Sequence, residues 1–264
     1  MNRSGVRRSL PLFVLLGAMA LPGTPLAAQD DGSDTWDVTQ ARGQTRDIDF
    51  TTEVGTWMSV DLSPDGAWIA FDLLGHVYRV PATGGDAELL SRDAGVSVNY
   101  HPRYSPDGGT LAFVSDRGGQ SNLWVMDADG GNPRAVFTSQ TVRVVEPVWT
   151  PDGDYIVVRR QNLGEGGGGS GLWMYHRDGG QGVELVSSSD EGGAAWPSVS
   201  RDGRYLYFHV FDGGAGLAGR DALAGQWQVR RKDLETGEVV SVSSGEVAQQ
   251  IRGSSGSAYA PEVS

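Results

Sequence analysis

The sequence predicts an all-β fold, an incomplete β-propeller with four four-stranded blades and the start of a fifth. The first observation is a tetrapeptide that returns along the chain, with its Asp residues 42, 45 and 50 residues apart. This period is the length of one propeller blade. The second is a composition of 39 Gly with 8 Trp and 8 Tyr, which favours short strands and tight turns. The four copies are Ser63-Pro64-Asp65-Gly66, Ser105-Pro106-Asp107-Gly108, Thr150-Pro151-Asp152-Gly153 and Ser200-Arg201-Asp202-Gly203.

Each copy has the chemistry of a tight turn. Pro at the second position presets φ, Asp bonds to nearby backbone amides, and Gly permits a positive φ at the exit. The leading Ser or Thr hydroxyl is expected to close the loop. The fourth copy carries Arg201 where the others have Pro.

Short apolar runs surround each turn and supply four strands per repeat. In the second repeat these are His101–Tyr104 before the turn and Leu111–Val114, Leu123–Met126 and Arg134–Phe137 after it. A β-sandwich does not show such self-similarity, and a solenoid has shorter repeats. The predicted blades span about residues 53–91, 92–138, 139–187 and 188–243, with residues 244–264 opening a fifth.

The N-terminus has the layout of a secretory signal. Arg3, Arg7 and Arg8 precede the apolar stretch Leu10–Leu21, and small residues follow up to Ala28. We therefore predict a signal peptide over residues 1–28, a flexible linker over 29–44, and the propeller over 45–264. The chain is then exported, periplasmic or extracellular, with no membrane insertion after cleavage. An uncleaved N-terminal anchor is the alternative.

Charge and cysteine content limit the partners. Without the predicted signal the chain has 18 basic and 33 acidic residues, a formal charge of −15. Such a surface repels phosphate backbones and anionic lipids, which argues against a nucleic-acid partner. Cys is absent, so the fold depends on its core rather than on disulfides.

The repeats resemble the WD40-like units of TolB-type propellers. The stretch Gly55–Gly66, followed by Phe71–Gly75, further resembles the start of the propeller at the N-terminus of large exported metal-dependent amidohydrolases. Leu123–Gly130 and Leu172–His176 fit the same pattern. In such relatives a catalytic barrel follows the propeller, and its divalent metal site begins with a His-x-His pair.

That catalytic barrel is not predicted within this chain. The four histidines, His76, His101, His176 and His209, include no His-x-His pair, which would place two imidazoles on one face of a strand. We therefore predict no catalytic, cofactor or metal residues in this chain, and a divalent metal only for the missing barrel. His101 is the histidine to watch, because it begins an opening strand and such strands line a propeller's channel.

The C-terminus repeats the opening of a blade and then stops. Ala260–Ser264 matches Glu146–Thr150, which stands directly before a turn. We therefore expect the N-terminal part of a longer protein, with Arg46–Thr52 as a strand that closes the ring. A complete four-bladed propeller with a spare tail is the alternative.

Other motifs have simpler explanations. Gly214–Gly219 fits G-x-G-x-x-G, but no apolar helix follows to receive a phosphate. Asp127–Gly130 resembles the start of a calcium loop, but its twelfth position is Thr138, so a hairpin turn is favoured. Gly164–Gly171 is predicted as a flexible loop. No G-x-S-x-G elbow occurs, and no acidic pair has a spacing that singles it out.

Two functions agree with these features. The first is a non-catalytic propeller module for protein interaction or substrate gating in the cell envelope, with Asp212–Gly225 as its most variable contact loop. The second is the accessory domain of a metal-dependent amidohydrolase whose barrel lies downstream. The partner is accordingly another protein or the chain's own downstream catalytic domain.

Overall fold

The computed structural model describes residues 37–46, 50–164, 169–191, 193–212 and 226–242. These form four antiparallel sheets, each with four strands in chain order, which confirms the predicted fold class. We call the sheets blades 1 to 4. No helix within the described ranges is long and apolar enough to cross a membrane.

The strands follow the predicted apolar runs closely. Blade 1 contains β1 (Val60–Leu62), β2 (Trp68–Leu73), β3 (His76–Pro81) and β4 (Glu88–Leu89). Blade 2 contains β5 (Asn99–Tyr104), β6 (Thr110–Ser115), β7 (Asn122–Asp127) and β8 (Arg134–Phe137). Blade 3 contains β9 (Val142–Trp149), β10 (Tyr155–Asn162), β11 (Ser170–His176) and β12 (Val183–Val186). After a helical turn, α1 (Ser188–Glu191), blade 4 contains β13 (Ala194–Val199), β14 (Tyr205–Asp212), β15 (Gln226–Asp233) and β16 (Val239–Ser241).

The repeated tetrapeptide forms the turn between the first and second strands of every blade. In blade 1 the Ser63 hydroxyl donates to Asp65 Oδ1 (2.5 Å) and accepts the amide of Trp68 (2.8 Å). Asp65 Oδ1 also accepts the amide of Ala67 (3.0 Å). Gly66 has a φ of 72°, where a Cβ would be strained. The same bonds recur at the other three turns, so the tetrapeptide sequence specifies this local geometry.

Hydrogen bonding keeps the turn aspartates ionised. In each turn the Ser or Thr hydroxyl is the main cause that lowers the aspartate pKa, and the amide two residues onward lowers it further. A lowered carboxyl pKa contributes stability above its unfolded value, and that stability is lost as the pH falls through the folded value.

Apolar side chains hold neighbouring blades together. Three core clusters bridge blades 1 and 2, blades 2 and 3, and blades 3 and 4. Their largest fully buried side chains are Phe113 for the first interface, Tyr175 for the second and Phe208 for the third. Each blade therefore relies on its neighbours for most of its core.

Several predicted segments differ from the structure or lie outside it. The loop predicted over Gly164–Gly171 is shorter, because β11 already begins at Ser170. Part of the predicted linker packs on the fold, since the carbonyl of Thr39 accepts the amide of Val96 (3.1 Å). The predicted closing strand Arg46–Thr52 includes residues 47–49, outside the described ranges, and residues 50–52 form no strand. The predicted signal peptide (1–28) and fifth blade (244–264) also lie outside the described residues.

The degenerate turn of blade 4 offers a test of the turn chemistry. Replacing Arg201 with Pro restores the residue found in the other three turns. Among the described residues, the amide of Arg201 has no hydrogen-bond acceptor, so Pro costs no backbone bond there. We expect the free energy of unfolding to rise by about 0.5–1 kcal/mol, because Pro restricts the unfolded chain. Urea denaturation of wild type, Arg201→Pro and the control Arg201→Ala measures this, and a less stable proline variant would contradict it.

Candidate functional site

The innermost strands of blades 2, 3 and 4 share an unusual backbone feature. The residue before proline has a positive φ in each: 54° at His101, 58° at Glu146 and 52° at Trp196. Strand pairing shifts register at or beside these residues. Non-glycine residues rarely adopt this conformation, and a bulge of this kind turns a side chain and an amide away from the ladder. The three amides therefore need partners from outside their own sheet.

Each of these amides is bound by a side chain of the preceding blade. The amide of His101 donates to Asp72 Oδ2 (2.8 Å), and the amide of Glu146 donates to His101 Nδ1 (3.3 Å). The amide of Trp196 donates to Glu146 Oε2 (2.7 Å). We call these four residues the inner relay, because one continuous series of bonds passes through all four blades.

Burial and nearby arginines set the protonation states of the relay. Burial, together with the positive charges of Arg103, Arg143 and Arg159, lowers the pKa of His101 to about 4, and burial is the larger cause. The ring is therefore neutral at pH 7, as its role as an acceptor at Nδ1 requires. Glu146 is buried and pairs with Arg159 (2.8 Å). Burial raises the pKa of Glu146 and that of Asp72, although hydrogen bonds and arginines oppose this shift at both carboxyls.

The acceptor atoms of the relay side chains already bind backbone amides, so the relay positions the blades. His101 Nδ1 and Glu146 Oε2 each accept an amide, and Glu146 Oε1 binds Arg159. Asp72 accepts amides through both oxygens, from His101 and from Ser59 (3.3 Å). The relay therefore has a structural role: it fixes the position of each blade relative to the next.

The relay hydrogen bonds described above involve none of the other three histidines. His76 Nδ1 contacts Ser91 Oγ (3.2 Å), and His176 lies 3.7 Å from Asp178. His209 is buried in β14. Within the described part of the chain, no three His, Asp or Glu side chains gather closely enough to hold a metal ion.

Of the motifs that the sequence analysis explained without a ligand, the structure describes one and leaves another outside its described residues. Asp127–Gly130 forms the turn after β7, where the amide of Gly130 donates to the carbonyl of Asp127 (2.8 Å), so it is a hairpin turn as predicted. Gly214–Gly219 and most of the contact loop Asp212–Gly225 fall on residues 213–225, outside the described ranges.

Sequence reasoning found one relay member and missed the others. His101 was expected on a channel-lining strand, and the structure places it in the relay. Asp72, Glu146 and Trp196 were missed as relay members, because their hydrogen bonds join one blade to the next. Arg159, which pairs with Glu146, was missed as well. The available signal was the repeated x-Pro-x motif, whose first residue is the relay member in blades 2 to 4.

Four-stranded antiparallel blades, each with the repeated turn between its first two strands and each linked to the next by the inner relay, define a β-propeller domain. More narrowly, the chain belongs to the TolB beta propeller domain family, whose sequence model matches residues 38–230.

Two relatives are similar to this chain over part of their length. An uncharacterized protein of Agrobacterium fabrum, Atu1656, is 30% identical over 154 residues, which cover 56% of this chain and 48% of that protein. The uncharacterized peptidase YuxL of Bacillus subtilis is 48% identical over 66 residues, which cover 25% of this chain and 10% of that protein. This chain therefore spans less than half of either relative.

A solved structure agrees with the fold. A putative TolB from Agrobacterium tumefaciens superposes with a TM-score of 0.55 at 23% identity, covering 70% of this chain and 61% of that one. At this identity the likeness concerns the fold alone.

The protonation state of His101 can be tested through stability. The His101→Gln variant keeps an acceptor for the Glu146 amide but cannot titrate. A histidine pKa of about 4 in the folded state, against 6.5 unfolded, contributes stability above pH 6.5 that is lost as the pH falls towards 4. The wild type should therefore lose about 3 kcal/mol relative to the variant across this window.

Urea denaturation of both proteins at several pH values measures this difference. The raised pKa values of Asp72 and Glu146 affect the stability of wild type and variant alike, so they do not account for a difference between them. A difference in stability that does not change with pH would contradict the prediction. NMR titration of the His101 ring gives the pKa directly.

Proposed function

We propose that this chain is a non-catalytic, exported propeller module of the cell envelope that acts by binding protein. The observation that carries the proposal is an uncovered apolar face on blade 1. Asp61 is directed towards blade 2, where its Oδ2 accepts the amide of Tyr104 (2.7 Å). Because strand side chains alternate, Val60 and Leu62 face away from blade 2.

The corresponding positions of the later blades are covered. Leu62 stands directly before its turn and is 56% exposed, whereas its counterparts Tyr104 and Trp149 are 8% and 7% exposed. On β2 of the same face, Ile69 and Phe71 are only half-buried, whereas their counterparts in blades 2 to 4 are fully buried. These counterparts are Leu111, Phe113, Ile156, Val158, Leu206 and Phe208.

This face matches surfaces that elsewhere in the chain receive a neighbouring sheet. A contiguous apolar patch of this kind is typical of a protein interaction site. The three interfaces between blades are apolar on both sides, so the partner that best fits blade 1 is a further β-sheet with branched aliphatic residues on its contacting face. Such a sheet belongs to another protein or to further blades of a longer polypeptide.

A second candidate is the accessory domain of a metal-dependent amidohydrolase. Its support is the resemblance of Gly55–Gly75. The peptidase relative, of which the matching segment is only 10%, supports the more general point that such a segment can belong to a much larger protein. The genomic sequence downstream of the codon for Ser264 tests this candidate. Continued blades followed by a His-x-His strand would support it, and a stop codon with no barrel nearby would exclude it.

Site-specific photo-crosslinking tests the proposed binding face. A photoreactive phenylalanine analogue at position 62 should form adducts in the cell envelope, because Leu62 lies on the uncovered face. The same analogue at Val183 is the matched control, since this side chain is 58% exposed on β12 of blade 3. Mass spectrometry should place the adduct from position 62 on a β-sheet of the partner.

A charge on the same face supplies a second readout. Leu62→Arg should abolish the interaction while leaving the fold intact, because the residue is exposed in the isolated chain; Val183→Arg should change neither. Equal adduct yields from positions 62 and 183 would overturn the proposal.

A further inference from the structure

A cavity of about 250 Å³ lies between blades 1 and 2, beside their repeated turns. Both blades contribute to its wall. The lining includes Asp65, Trp68 and Arg79 of blade 1 and Tyr104, Asp107 and Ala128 of blade 2. Its size suits a small molecule or one side chain of a larger ligand.

Tyr104, which lines this cavity, carries an unsatisfied hydroxyl. The residue is only 8% exposed, and its hydroxyl is buried without a hydrogen-bond partner. Burial raises the pKa of Tyr104, so the phenol is protonated and can both donate and accept. Buried polar groups are nearly always hydrogen-bonded, so an orphaned phenol beside a cavity indicates a missing partner.

The equivalent corner between blades 2 and 3 is filled by the chain itself. Trp149 occupies the position of Tyr104, and its indole N–H donates to the carbonyl of Arg103 (3.0 Å). The guanidinium of Arg177 lies 5.3 Å from the Trp149 ring and donates to Thr110 Oγ1 (2.8 Å). The chain thus completes one corner with its own side chains and leaves the other open.

The open corner carries negative charge. The Ser63 hydroxyl lowers the pKa of Asp65 and the Ser105 hydroxyl lowers that of Asp107, so both are carboxylates at neutral pH. Their hydrogen bonds within the turns use Oδ1, at both Asp65 and Asp107.

Arg79 is the cation that the described residues contribute to the cavity wall, and its charge is already matched. Arg79 pairs with Glu88 (2.8 Å), lies 4.2 Å from the centre of the Trp68 ring and donates to the carbonyl of Ala128 (3.1 Å). The charge of Arg79 is thus balanced by Glu88. Among the described residues, the carboxylates of Asp65 and Asp107 form no ion pair, although the positive charge of Arg177 acts on Asp107 and lowers its pKa.

We propose that this corner binds the primary ammonium group of a small ligand or of a peptide. Three N–H donors of an ammonium match three acceptors, the carboxylates of Asp65 and Asp107 and the hydroxyl of Tyr104. A guanidinium is planar and suits a paired carboxylate edge better than three separated acceptors. The aromatic rings of Trp68 and Tyr104 provide contact for an aliphatic stem.

NMR titration of the full chain tests the site with defined probes. Nα-acetyl-lysine methylamide presents a side-chain ammonium, and glycinamide presents an α-ammonium. The two probes therefore distinguish a lysine side chain from a free α-amino group as the ligand. Acetyl-norleucine methylamide is the uncharged control of similar shape, and acetyl-arginine methylamide tests guanidinium. We expect saturable shifts of the Gly66 and Gly108 amides and the Trp68 indole with at least one ammonium probe, about tenfold tighter than with the norleucine control.

Two variants link the binding to this corner. Tyr104→Trp fills the cavity as Trp149 fills the next one, so it should abolish binding while preserving the fold. Asp107→Asn should weaken binding strongly, whereas Asp152→Asn, the same change in the turn of blade 3, should not. The paired aspartate variants lose the same turn interaction, so a shared loss of stability does not confuse the comparison.

The proposal is overturned if neither ammonium probe gives saturable shifts, if the norleucine control binds equally well, or if Tyr104→Trp binds as the wild type does. Tighter binding of acetyl-arginine methylamide than of either ammonium probe would likewise overturn the ammonium assignment.

Discussion

The inner relay is the interaction on which the arrangement of the blades depends. A positive φ before proline removes an amide from its own ladder, and an amide left unpaired in the interior costs about 1–3 kcal/mol. In this protein the preceding blade supplies the acceptor each time, from Asp72, His101 and Glu146. One blade therefore cannot rotate or slip against the next without breaking a buried hydrogen bond. The relay adds direction to apolar contacts, which by themselves tolerate sliding.

Three different side chains fill the same role in this relay. A carboxylate, a neutral imidazole and an ion-paired carboxylate each present one acceptor to the following blade. The protein requires an acceptor at each position rather than a particular residue. This explains why a repeat that is regular in its turns is irregular at its centre. It also explains why perturbed pKa values, at His101 and Glu146, accompany a structural network here.

Much of the fold follows from local rules that the sequence displays. The turns need only a hydroxyl, an aspartate and a glycine in consecutive order, and the strands need only short apolar runs. Both signals act within a few residues, so the four blades were predictable. The relay and the cavity were not, because their members come from different blades. Asp72 and His101 are 29 residues apart, and Arg79 and Ala128 are 49 apart.

The sequence by itself determined the repeat, the turn geometry and the strand order, because each depends on neighbours along the chain. Only the tertiary structure decided which surfaces are covered and which remain open. Leu62 and Tyr104 occupy the same place in the repeat, yet one is exposed and the other buried. Tyr104 and Trp149 are likewise equivalent, yet the former borders a cavity and the latter fills its corner. The physical reason is that burial depends on the blade that packs against a residue, and the repeat motif contains no information about that neighbour.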